Sequence, residues 1–284
     1  MKRILAIIVL VLGMPVIAED QPRDTHERLN GILWVQTSAE YKMLAEQTYR
    51  LAWSQIEDKL AKIKSGYGVP SAAIEQAGFN INRLPFAVIL DIDETVLDNS
   101  PMSGRLIETK AGYTAENWSK WVEKEAADFI PGSYEFINKL RAANVEVIFV
   151  TNRTKAEEDH TIKDLSPIVV FDEQILSYEE KEDSATQPWP NEKTSRREYL
   201  ATKYWILGMI GDDLADFIPN IKILPPEERI KEATKYQEKF GNYWFLLPNP
   251  VYGSWETVLY NRKDKDVNQI KEKMKYIRSF KPVH

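Results

Sequence analysis

Two carboxylates stand two residues apart where an unbroken apolar run ends, in FAVILDIDETVLDN at 86–99. Residues i and i+2 of a strand face the same side, so Asp91 and Asp93 converge on one small site. Two anions that close need a cation or a shared proton. A bare pair of this kind equally ends a strand in a solvated acidic turn, so its meaning depends on what else the chain brings there. Three further clusters qualify: Thr151-Asn152-Arg153 after the apolar run 145–150, Lys193 in EKTSRREYL, and Asp212 and Asp216 in GDDLAD after 205–210. Each alone has an ordinary reading, as a strand-end hydroxyl, a solvated lysine, or acids at the positive end of a helix dipole. Together they suit a phosphate monoester. Such a dianion is repelled by carboxylates unless a dication and an ammonium neutralise the site, and hard oxygen ligands around a small dication suit Mg²⁺.

These residues need elements that deliver them to one place. The run 86–90 lacks alternation, which predicts a strand buried on both faces with its acids at the carboxyl end, where open α/β sheets bind ligands. Runs 145–150 and 205–210 repeat the pattern with helices between, predicting an α/β fold built on a doubly wound parallel sheet. An amino-terminal helical region, about 24–66, starts a helix at Thr37 as N-cap with Glu40 third. It keeps Tyr41, Leu44, Ala45, Leu51, Ala52, Ile56, Leu60 and Ile63 near helical period, then stops at Gly66 and Gly68. An insertion, about 100–143, carries helix starts at Thr114 and at Pro131-Gly132 and forms a helical cap. Trp118 and Trp121 share a helix face there, either as core or as a lid wall over the carboxylates. A short apolar run, 168–171, precedes an acidic, proline-bearing stretch, 172–191, read as an irregular loop. The tail adds a helix after Pro225-Pro226, a strand at 243–247 and the segment NPVYGSWE at 249–256. No internal repeat is present, and 19–284 reads as a single domain.

D-x-D-x-T-x-x-D after a hydrophobic strand, followed by Thr151, Lys193 and GDDLAD in that order, resembles the four-motif site of the haloacid dehalogenase superfamily. WVQTSAEYK, DIDETVLDNSP, VTNR, KTSRR, GDDLADF and NPVYGSWE together resemble the class C acid phosphatases, secreted bacterial nonspecific phosphomonoesterases, from about Trp34 to Glu256. The resemblance implies a Rossmann-like sheet with a helical cap and an aspartyl-phosphate mechanism. Asp91 would be the nucleophile and Asp93 the general acid and base. Mg²⁺ would be held by Asp91, the backbone carbonyl of Asp93 and Asp212, with Asp216 supporting the shell. Thr151, Asn152 and Lys193 would bind the transferring oxygens. An aromatic clamp for nucleoside monophosphates or aryl phosphates would include Tyr252, with Trp118 as a further candidate. The chain departs from the family pattern at Met102, usually aromatic, at Asp213, usually Asn, and across 161–191. The first and third bear on substrate preference rather than on the reaction.

Composition narrows the alternatives. A chain of 284 residues, 43% hydrophobic, has enough apolar content for a large α/β domain. Residues 1–18 combine Lys2 and Arg3, an apolar run and small residues at the end, which predicts a secretory leader cleaved after Ala18 to leave Glu19 first. The run is too short for a stable membrane anchor. With no Cys, disulfides and thiolate metal sites are excluded, and an exported, disulfide-free chain fits the bacterial periplasm. Loss of Lys2 and Arg3 takes the net charge from −6 to −8, which disfavours nucleic-acid polymers and anionic membranes as partners. With only His26, His160 and His284 and no R-H-G, histidine-rich two-metal phosphoesterases and histidine phosphatases are poor fits. A phosphotransferase would use the same residues. A non-catalytic storage relative is disfavoured by Asp91, the residue that the plant vegetative storage proteins resembling this family have lost.

Overall fold

The computed structural model of the chain describes residues 26–76, 84–168, 170–180, 187–260 and 268–277. The expected leader lies outside them, and among the described residues no helix is long and apolar enough to cross a membrane. The strands are β1 (Phe86–Leu90), β2 (Leu97–Asp98), β3 (Asp128–Phe129), β4 (Glu146–Thr154), β5 (Ile175–Tyr178), β6 (Trp205–Gly211) and β7 (Trp244–Leu246). The helices are α1 (Leu29–Thr37), α2 (Ala39–Lys64), α3 (Ser100–Glu108), α4 (Ala115–Val122), α5 (Ser133–Ala142), α6 (Glu158–Asp164), α7 (Thr194–Lys203), α8 (Pro226–Thr234), α9 (Ser254–Thr257) and α10 (Gln269–Met274).

Five strands form a parallel sheet in the order β5-β4-β1-β6-β7, while β2 and β3 pair antiparallel in a separate ribbon. From β1 the chain builds outward through β4 and β5, then returns to lay β6 on the other side of β1. The strand order therefore reverses beside β1, and the carboxyl ends of β1 and β6 flank the crevice where such sheets bind ligands. β1 divides its side chains between two cores. Val88 and Leu90 pack with Tyr49 and Ile56 of α2 and Phe136 and Leu140 of α5, whereas Ala87 and Ile89 pack with Leu200 of α7, Phe217 and Trp244. Burial on both faces explains its lack of alternation.

Several boundaries differ from the sequence expectation. The N-cap of α2 is Ser38, whose Oγ accepts from the Tyr41 amide, while the Thr37 hydroxyl donates back to the Leu33 carbonyl and closes α1. Leu44 and Leu51 are exposed; Tyr49 and Lys59 take buried positions instead, because each finds a polar partner inside. The Tyr49 hydroxyl donates to the Thr95 carbonyl at 2.6 Å, and the Lys59 ammonium to the Asn242 carbonyl. Within 100–143, α5 belongs to the main core through Phe136, Ile137 and Leu140, while α4 adds no residue to that core and starts at a Thr114 cap as expected. The sheet's edge strand falls at Ile175–Tyr178, inside the stretch read as a loop; Ile168 instead lies in a 3-10 turn and Phe171 is exposed. Lys193 stands just before α7, as its N-cap residue.

Candidate active site

At the carboxyl end of β1 the Asp91 amide donates to the Ile210 carbonyl of β6, which fixes where its side chain begins. Asp91, Asp212 and Asp216 each offer a carboxylate oxygen, and these oxygens lie within 4.8 Å of one another. The Lys193 ammonium, buried at the start of α7, sits 2.7 Å from Asp91 Oδ1 and 2.7 Å from Asp216 Oδ1. Burial opposes its charge, but Asp216 and Asp91 outweigh that and raise its proton affinity. Asp212 has no ion pair with Lys193, and burial, then Asp216 and Asp91, push its carboxyl well above its usual range. Asp216 is pushed up to about 6 by burial against the opposing pull of Lys193. Three hard oxygen donors with uncompensated negative charge fit a dication such as Mg²⁺.

The positions of these acids are fixed from behind. Asp212 accepts from Thr95 Oγ1 at 3.4 Å and from Asn249 Nδ2 at 2.8 Å. Asp216 accepts at Oδ2 from the Asp213 amide at 3.0 Å, and Arg197, fully buried, donates to the Asp216 carbonyl at 3.1 Å. A Cβ at Gly211 would come within 2.6 Å of Asp216 Cβ, so only glycine lets β6 pass so close to this carboxylate. Asp213 faces away from the cluster in function. It caps the turn Leu214–Asp216 through the Ala215 amide and accepts from Ser254 and Arg229.

Asp93 is two residues from Asp91 but has different company. Its Oδ1 accepts from Asn99 Nδ2 at 3.0 Å and from Arg153 Nε at 3.0 Å. Arg153, fully buried, reaches on to Asp164 Oδ2 at 3.1 Å and Thr161 Oγ1 at 3.2 Å. Between these acids Glu94 takes a left-handed backbone conformation, φ 57°, and burial, then Asp93 and Asp212, push its carboxyl well above its usual range. At the end of β4, Thr151 Oγ1 accepts from the Arg153 amide at 3.0 Å. Arg196 from α7 donates to the Thr151 carbonyl and, at 2.8 Å, to Asn152 Oδ1, which leaves the Asn152 amide nitrogen as a donor.

The structure therefore gathers Asp91, Lys193, Asp212 and Asp216 into one cluster and places Asp93, Thr151 and Asn152 beside it. The Asp93 carboxylate is outside the three-carboxylate set. Trp118 is half-buried, its ring 5.8 Å from the Arg153 guanidinium, which favours the lid-wall reading over core. Tyr252 is half-buried on a turn that Asn249 Oδ1 holds through the Val251 and Tyr252 amides, so one asparagine joins that turn to Asp212. Met102 is buried in α3. Sequence reasoning missed Asn99, Trp121 as a polar partner, Thr95, Arg153, Arg196, Arg197 and Asn249. All except Trp121 stand inside the motifs quoted above; for Thr95 and Asn99, closeness in sequence to Asp91 and Asp93 was the available signal.

The comparisons agree with this geometry. Residues 22–255 match the model for the haloacid dehalogenase superfamily, subfamily IIIB (acid phosphatase). The class C acid phosphatase of Bacillus anthracis, solved with tungstate bound, is 30% identical with a TM-score of 0.74, covering 89% of this chain and 98% of that one. The stem 28 kDa glycoprotein of Glycine max is 28% identical over 170 residues, 58% of each chain. Vegetative storage protein 1 of Arabidopsis thaliana is 26% identical over 171 residues, 58% of this chain and 54% of that protein. The chain thus spans little more than half the length of these two plant relatives. With the sheet topology, the acid cluster and a match over most of its length in accord, the chain belongs to the acid phosphatase subfamily IIIB of the haloacid dehalogenase superfamily.

Proposed function

We propose that this protein hydrolyses phosphate monoesters with Mg²⁺ through an aspartyl-phosphate intermediate. The observation that carries the reading is the meeting of Asp91, Asp212 and Asp216 within 4.8 Å with Lys193 bonded to two of them. Asp91, Asp212, the Asp93 carbonyl and Asp216 would hold the metal, which when bound neutralises the carboxylates and the transferring phosphoryl group. An Asp91 oxygen attacks phosphorus as the bond from phosphorus to the leaving oxygen breaks. The proton of Asp93 passes to that oxygen, giving an alcohol and an Asp93 carboxylate. Asp93 then takes a proton from water as the water oxygen attacks the aspartyl phosphate, releasing phosphate and restoring Asp91. Thr151, the Asn152 amide nitrogen and Lys193 hold the equatorial oxygens. That the Bacillus anthracis relative binds tungstate, a tetrahedral oxyanion, supports such a cradle.

Nucleoside monophosphates or aryl phosphates are the proposed substrates, with Tyr252 and Trp118 as the aromatic clamp. The leader at 1–18 supports export, to the periplasm if the source is a double-membraned bacterium. The storage-protein relatives motivate a second reading, a phosphate-binding protein without turnover, against which Asp91 and its Lys193 partner argue. Purified protein assayed on nucleotides, sugar phosphates and p-nitrophenyl phosphate should turn over with Mg²⁺ and stop after chelation. Oxyanion binding without turnover on any ester would favour the storage reading.

A further inference from the structure

Trp121 has an indole that its helix does not need for packing. It is half-buried on α4 and belongs to neither hydrophobic core, yet its Nε1–H is 2.7 Å from Asn99 Oδ1. An indole nitrogen only donates, so the amide oxygen of Asn99 must face it and the amide nitrogen must face the other way. That nitrogen points at Asp93 Oδ1, 3.0 Å away, and Glu94 Oε2, 3.4 Å away. The Asn99 backbone is fixed in turn, its amide donating to Glu94 Oε1 at 2.9 Å.

We propose that Trp121 is a positioning residue for the leaving-group step: through Asn99 it fixes the orientation of the Asp93 side chain beside Asp91. The inference rests on the reading of Asp93 as general acid. Asn99 Nδ2 and Arg153 Nε both donate to Oδ1, so these two donors set how the carboxyl group is turned. Arg153 is anchored by Asp164 and Thr161 and faces the Trp118 ring, so one of the two donors does not depend on Trp121. The other is a short amide whose oxygen accepts from the indole, while its nitrogen also reaches Glu94 Oε2. Without the indole, Asn99 Oδ1 becomes a nearly buried acceptor with no partner, a state that drives the amide to turn or shift toward water. Asp93 is then held on one side only, and its two oxygens exchange places by rotation of the carboxyl group. The cap helix thereby acts on the proton donor without touching substrate.

The test is single-turnover formation of the phosphoenzyme, measured on glycerol phosphate, whose alkoxide needs a proton, and on p-nitrophenyl phosphate, whose phenolate leaves with little help. Trp121→Phe keeps an aromatic ring and removes the donor. It should slow the alkyl ester by about tenfold and the aryl ester by less than about twofold, within the range that general acids supply. Replacing the indole by benzothiophene at position 121, through an unnatural amino acid, puts sulfur in place of N–H with the shape unchanged. It should give the same selective loss, and it serves if the Phe variant does not fold. Asp93→Asn runs beside them. If Asp93→Asn is selective against the alkyl ester and neither Trp121 variant is, the role of Trp121 is overturned while the general acid stands. If Asp93→Asn slows both esters equally, the general-acid reading falls and takes this inference with it. Equal losses on both esters in the Trp121 variants mean only a structural role, which also overturns it.

Discussion

Asp91 and Asp93 leave one strand two residues apart and enter opposite surroundings. Around Asp91, Lys193 pairs with two of three clustered carboxylates, and Asp212 and Asp216 respond with raised proton affinity. Around Asp93, a buried guanidinium and an amide nitrogen meet one carboxylate oxygen directly. The first environment has the charge to take up a dication, whereas the second is balanced by the protein itself. On the proposed mechanism, two like residues in one motif are fitted for different work by the kind of positive group each would meet: a metal and lysine for the group that would meet phosphorus, fixed donors for the group that would handle a proton.

The most severe way to break this comparison is to remove the nucleophile. Asp91→Asn should lower turnover by at least ~10³-fold on every ester with the fold retained, since an amide keeps the shape but does not attack phosphorus. Loss of the same size on alkyl and aryl esters is expected, because the nucleophile serves both. Circular dichroism and a steady-state assay on the two ester types are sufficient to check it.

A second prediction sharpens the comparison through stability. The raised carboxyls of Asp212 and Asp216 mean that the metal-free folded protein holds protons the unfolded chain has already lost. In that window, upward from about pH 4, the unfolded state binds fewer protons, so stability of the metal-free protein falls as pH rises through the folded values. A bound dication replaces those protons. Tm measured against pH should therefore decline more steeply in chelator than in Mg²⁺, and Asp212→Asn should shrink the difference. Parallel curves would place the metal elsewhere.

The motif acids were legible before the structure because buried parallel strands write themselves as uninterrupted apolar runs, and a polar cluster at the end of such a run marks the sheet's binding edge. β1 and β6 have that form, and β4 has it over Val147 to Val150, after the exposed Glu146. β5 was hidden because an edge strand needs only four residues and here follows an acidic turn, so the local composition resembled a loop. Arg153, Arg196 and Arg197 were hidden for another reason. Arginine is ordinarily a surface residue, and nothing local distinguishes one that is at most 1% exposed and bonded to groups distant in sequence, as Arg153 is to Asp93, Arg196 to the Thr151 carbonyl and Arg197 to the Asp216 carbonyl. Tyr49 and Lys59 misled in the same sense, since each is buried by a partner distant in sequence, Thr95 and Asn242. Contacts along the chain could be read; contacts across it, which orient the acids, could not.

The smallest expected effect concerns the two clamp candidates, which sit on opposite sides of the comparison. Tyr252 stands on the turn that Asn249 ties to Asp212, whereas Trp118 stands over Arg153 and so beside Asp93. Stacking a base on an aromatic ring contributes ~1–3 kcal/mol, so Tyr252→Ala should raise KM for a nucleoside monophosphate by about tenfold. It should leave glycerol phosphate unchanged, because that ester has no ring to stack and the Asn249 side chain still holds Asp212. Trp118→Ala should behave differently. It removes the ring facing the guanidinium, a contact that contributes ~0.5–2 kcal/mol, and so loosens Arg153 on Asp93 as well as the substrate. Its kcat on glycerol phosphate should fall severalfold while Tyr252→Ala leaves kcat alone. If both substitutions change only KM, and only for ring-bearing esters, both residues are simple clamps and Trp118 has no hold on the acid side. If neither changes KM for a nucleotide, the aromatic clamp is formed by other residues, and the preference for nucleoside monophosphates must be given up with it.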